Sequence, residues 1–193
     1  MIRQMDEPMA ERVPPFPPKA LTGAQRELYD AIASGPRAQG PQHFALTRAD
    51  GSLRGPFNAF LLAPELGAAL QSVGAALRYR GTLTGRAREL AILLVAARWD
   101  SEFEREAHEA VGSAVGLTPP ELSALRDGDI TSFTGVDAVV AVATMRLLDG
   151  DLSDEAWDEA SAALGAEGVF ELTVLVGYYA TLALQLRVFR VRP

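Results

Sequence analysis

The chain has 193 residues, 48 % of them hydrophobic, with a formal charge of −7 and no cysteine. Such a length supports one domain with a substantial core and leaves little for a second. The acidic balance argues against nucleic acid held through its phosphates, and the missing thiols exclude disulfides, thiolate metal sites and redox-active pairs.

Residues 1–20 hold Pro8, Pro14, Pro15, Pro17 and Pro18. Proline fixes φ and removes an amide donor, so this stretch reads as an extended arm, either wrapped on a neighbouring subunit or mobile. It has no apolar core of a secretory signal, and with the absence of cysteine this fits a cytoplasmic protein.

Residues 21–193 read as a single all-α domain. Thr22 can cap a first helix, with Gln25 as its capping-box partner and Leu28 and Ile32 on one face, and Gly35 and Pro36 end it. The Gly- and Pro-rich segment that follows has an Asp50-Gly51 turn signal, and a short hairpin is expected within residues 40–54. From Phe57 the pattern turns helical, and Pro64 starts a helix with Leu66, Leu70, Val73 and Leu77 at helical spacing. "LTGRARELAILLVAARW" is apolar almost all round after Glu89, which predicts a buried helix. "SEFEREAHEAVGSAVG" follows and stops at Gly116; Thr118, Pro119 and Glu121 restart the chain, and a further helix closes on Gly150. Ser153 caps "SDEAWDEASAALG". "VFELTVLVGYYATLALQLRVF" is interrupted by Glu171 and Gln185, so it reads as a core helix rather than a membrane span. The fold class is an antiparallel helical bundle with short connections.

The chemistry concentrates in "SEFEREAHEA", residues 101–110. Helical spacing puts Ser101, Glu104 and His108 on one stripe and Glu102, Glu106 and Glu109 on a wetter one. A carboxylate one turn from an imidazole can orient it and favour its charged form, while burial opposes that; the balance suits general acid–base chemistry. The competing reading is local: Ser101 and Glu104 also match a capping box. Glu89 joins the site only if the two helices fold back on each other, and Arg86 or Arg88 could pair with it. No HExxH or ExxH spacing is present, so no metal is expected. His43 reads as an ordinary loop histidine. Tyr178 and Tyr179 read as core tyrosines with a tethered hydroxyl or as pocket lining.

Three segments in order, "LRGPFNAFLLAPELG", "LTGRARELAILLVAARW" and "SEFEREAHEAVGSAVGLTPPEL", together resemble the carboxymuconolactone decarboxylase family, related to the alkylhydroperoxidase D proteins. The resemblance is best over residues 53–126, and "LVGYYATLAL" extends it. It implies an all-α fold whose copies associate as trimers or hexamers, and the apolar faces of the chain agree with a homo-oligomer. Glu89 and His108 match the family's glutamate and histidine. The positions of the peroxidase branch's two cysteines hold Ser101 and Glu104, which excludes thiol peroxidase activity. Glu102-Phe103-Glu104 matches the cysteine-free branch, with Arg105 in place of its usual tryptophan.

The resemblance implies a cofactor-independent lyase or isomerase acting on a small carboxylated lactone or enolisable acid. His108 would be the proton donor or base, Glu104 would orient it, and Glu89 could relay protons. Arg88 or Arg105 would hold a substrate carboxylate, and Asn58, Phe57, Trp99 and Tyr178 are the other expected substrate-binding residues. The alternatives are a non-catalytic binder of a small molecule and a purely structural oligomer on the same scaffold.

Overall fold

The computed structural model describes residues 10–39 and 44–192. Among the described residues there are eight α-helices: α1 (Gly23–Ala33), α2 (Pro56–Phe60), α3 (Pro64–Tyr79), α4 (Gly85–Trp99), α5 (Glu102–Ala114), α6 (Pro119–Arg126), α7 (Gly135–Asp149) and α8 (Asp154–Phe189). Among the described residues there is no strand. The expected hairpin is reduced to one antiparallel bridge between Thr47 and Leu53, because pairing beside the Asp50-Gly51 turn stops almost at once.

Side-chain caps set four of the eight helix starts, those of α1, α4, α6 and α8. The Thr22 backbone N–H donates to Gln25 Oε1 at 3.0 Å, closing the capping box of α1. Glu121 accepts from the Thr118 N–H at 2.7 Å ahead of α6, and Ser153 Oγ accepts from Ala156 N–H ahead of α8. The sequence separates α8 into two helices. The structure makes one long element broken at Gly165, whose φ of 72° and ψ of 164° are not helical.

Helix α4 is the axis of the fold. From Leu90 to Ala96 every side chain is buried, and α5, α7 and α8 surround it. This is what a run apolar on all sides requires. On α3 the expected leucine stripe is corrected: Leu77 is buried, but Leu66 is 63 % and Val73 37 % exposed. The buried face instead runs through Gly67 and Gly74, whose missing side chains let Phe60, Leu28 and Tyr178 approach the helix.

A carboxylate ties α8 to the α3–α4 connection. Glu171 Oε2 accepts from the backbone N–H groups of Thr82 and Leu83 and from the Thr82 hydroxyl, at 2.5, 3.1 and 2.8 Å. The described part of the arm docks on its own chain. Arg12 N–H donates to Phe189 O, Val13 is buried, and Asn58 accepts from Phe16 N–H while donating to Pro14 O. The arm residues 1–9 lie outside the described part.

Candidate active site

A tight turn joins α4 to α5. Asp100 takes the left-handed conformation (φ 49°) and the Ser101 N–H donates back to Ala96 O at 2.9 Å. The chain therefore reverses, and the inner faces of the two helices meet. This brings Glu89 and His108 together: Nδ1 of His108 lies 2.6 Å from Glu89 Oε2, and Glu89 is wholly buried. Burial alone would raise the Glu89 carboxyl. The charge and hydrogen bond of His108, helped by Arg78 and Arg88, outweigh burial and hold it below the usual carboxylate range. An ionised Glu89 keeps the proton of the imidazole on Nδ1 and leaves Nε2 for other work.

The expected partner, Glu104, is corrected. It shares a stripe with His108 but neither of its buried oxygens has a hydrogen-bond partner. Burial pushes its carboxyl up to about 8, and the nearby Ser101 hydroxyl opposes that rise. The capping reading fails too: Ser101 makes no side-chain cap bond, and its Oγ has no partner that meets hydrogen-bond geometry. At neutral pH the site thus holds one ionised acid on the imidazole and one neutral acid beside it. Two carboxyls pushed apart in this way fit the division of labour between acid and base.

His108 and Glu104 line a narrow cleft with a free volume of about 30 Å³, enough for one or two waters. Its walls include Phe57, Phe103, Tyr178 and Tyr179. The Tyr179 ring stands edge-on to His108 at 5.1 Å, and Tyr178 stands edge-on to Tyr179 at 5.3 Å. Burial raises the pKa of both phenols, and the Tyr178 hydroxyl has no partner.

Other expected site residues lie elsewhere. Arg88 points its Nε toward Glu89 Oε1 at 3.7 Å, an ion pair too long for a hydrogen bond. Arg86 is taken by Asp137 and Glu121. Arg105 faces Glu102, and Trp99 packs at the end of α4, where its carbonyl accepts from Arg187. None of these, nor the arm-binding Asn58, lines the cleft. The arginines that do are Arg37 and Arg78. Sequence reasoning missed both: Arg37 lies in a Gly/Pro segment without periodicity, and Arg78 is one of two arginines, with Arg80, at the end of α3. His43 lies outside the described residues. Among the described residues no group of three or more metal-ligating side chains converges.

No family model matches the chain, and no curated protein matches it. Among solved structures it is similar to the core of alkylhydroperoxidase AhpD, an uncharacterized peroxidase-related protein from Ralstonia eutropha JMP134. The TM-score is 0.75 at 13 % identity, over 95 % of this chain and 92 % of that one. At that identity the likeness shows the fold: an all-α bundle of the AhpD type, here without cysteine.

Proposed function

We propose that the chain is a cofactor-independent lyase or isomerase that moves protons on a small carboxylated lactone or related enolisable acid. The observation that carries this reading is the 2.6 Å contact of buried Glu89 with His108 Nδ1 in the wall of a cleft. His108 Nε2 is the group that takes or gives the proton at carbon. Glu89 fixes its tautomer and stabilises the imidazolium, as carboxylate partners of catalytic histidines do. Glu104, neutral at pH 7, donates a hydrogen bond to the enolate oxygen as charge develops there. In the decarboxylating case the carbon–carboxylate bond breaks and CO₂ leaves. The electron pair stays on the dienolate, and the proton on His108 adds to carbon. Acid–base steps of this kind contribute roughly 10²–10⁴-fold.

The test uses small carboxylated lactones and unsaturated acids in D₂O, with NMR following deuterium uptake and loss of CO₂. The wild type exchanges or converts at least one of them, and His108→Gln lowers that rate by about 10²-fold or more while keeping its fold. Undiminished turnover in the variant refutes the proposal.

The tightness of the cleft favours one second reading, a scaffold that no longer turns over. It predicts no exchange with any member of the panel.

A further inference from the structure

Two arginines from distant parts of the chain reach the His108 cleft, and the surroundings of each are specific. Arg37 follows α1, in the short turn Pro36–Ala38, and among the contacts that hold its guanidinium Nε donates to Gln71 Oε1 at 3.1 Å and Cζ lies 4.9 Å from the centre of the Phe57 ring. Arg78 sits in the last turn of α3 and makes no ion pair with any described carboxylate.

Tyr178 lines the same cleft, and its buried hydroxyl has no partner. Gly74 makes room for it. A Cβ at that position would collide with the Tyr178 hydroxyl and lie 2.9 Å from Arg37 Nη2, so this one glycine lets the phenol and the guanidinium converge. Of the described acids nearby, Glu89 takes its hydrogen bond from His108 and feels the charge of Arg78 only at a distance beyond an ion pair, and Glu104 is held neutral by burial. A buried hydroxyl left without a partner costs free energy unless something else supplies an acceptor.

We propose that Arg37, Arg78 and the Tyr178 hydroxyl form an anion-holding subsite that seats the carboxylate of a small substrate beside His108. The guanidiniums supply charge-assisted donors and the phenol supplies a further one. The subsite rests on the reading of His108 as the proton-transfer group, because its purpose is to place the carbon next to the anion within reach of that ring. It also assigns Gly74 a role: the residue is small so that the subsite can exist.

Binding alone tests this. The full chain, labelled with ¹⁵N, is titrated with acetate at constant ionic strength, and with acetamide as the neutral analogue of the same size. The imidazole signals of His108, identified by their loss in His108→Gln, report occupancy. Acetate shifts them saturably and acetamide does not. Arg37→Gln and Arg78→Gln each weaken acetate by at least about tenfold, and Tyr178→Phe by at least about threefold, at unchanged circular dichroism. Gly74→Ala weakens it as well, through the displaced phenol.

The proposal is overturned if acetate gives no saturable shift in the wild type, or binds as well to the Arg37→Gln/Arg78→Gln pair. If that pair fails to fold, Arg78→Gln alone decides, since Arg78 is only partly buried. Acetate binding in a protein that turns over none of the panel leaves the subsite standing and removes the enzymatic reading. Turnover without acetate binding removes the subsite alone.

Discussion

Glu89 on α4 and His108 on α5 are 19 residues apart in the chain and 2.6 Å apart at their side chains. Glu89 is entirely enclosed, so its charge is sustained by the imidazole and the arginines around it rather than by water. Removing the charge of one member of a buried pair typically costs about 3–5 kcal/mol, because the partner is left uncompensated. Glu89→Gln should therefore destabilise the fold by that order at pH 7. The folded pKa of Glu89 lies below its usual 4.5, so its contribution is complete above about pH 4.5 and is lost as pH falls through the folded value. Urea denaturation of wild type and variant should show the gap closing in acid. A gap of equal size at low pH would mean that Glu89 is not the ionised partner.

Glu104 titrates in the opposite direction. Its carboxyl is raised by burial to about 8, so its contribution is complete below about pH 4.5. Between there and pH 8 the unfolded chain releases a proton that the folded chain keeps, and stability falls with rising pH at about 1.4 kcal/mol per unit. Glu104→Gln, which cannot ionise, should be more stable than wild type at pH 8.5 by roughly 3–5 kcal/mol relative to their difference at pH 4.5. Urea curves at the two pH values measure this. Parallel behaviour of the two proteins would place the Glu104 carboxyl in contact with water or with a cation.

Helix starts were legible in the sequence because their causes are local. Thr22 with Gln25, and Thr118 with Glu121, need only each other. The all-round apolar run after Glu89 could only be a core helix. The partner of His108 was not fixed by spacing. Glu104 sits one turn away and shares its stripe, yet the reversal at Asp100 sets Glu89 against Nδ1 instead. The same limit hid Arg37, which reaches the cleft through tertiary packing against Gln71 and Phe57. On α3 the leucine spacing was misleading because close packing was achieved by glycines, which carry no hydrophobic signal.

The exposed apolar side chains give the expectation of a homo-oligomer a location. Leu62 and Leu66 are 51 % and 63 % exposed beside an apolar groove formed by Ala59, Ala63, Leu70 and Phe189. Apolar surface gathered in this way is typical of a contact between subunits. Sedimentation velocity at micromolar concentration should give a mass above the 20.6 kDa of one chain, and Leu66→Glu should shift the distribution toward it. A wild-type protein that sediments as a monomer removes this proposal.

The break in α8 separates backbone strain from packing cleanly. Gly165 has φ 72° and ψ 164°, a region nearly closed to residues with a Cβ, but a Cβ there would meet nothing within 4 Å. Any cost of Gly165→Ala is therefore conformational, about 1–3 kcal/mol. Gly177 lies in the same element with an ordinary φ and equally open surroundings. There alanine restricts the unfolded chain and favours the helix, so Gly177→Ala should stabilise by up to about 1 kcal/mol. Thermal melts of the two variants should move in opposite directions from wild type. If both rise, the chain can straighten at residue 165, and the break is a preference of glycine rather than a requirement of how α8 meets α4 and α7.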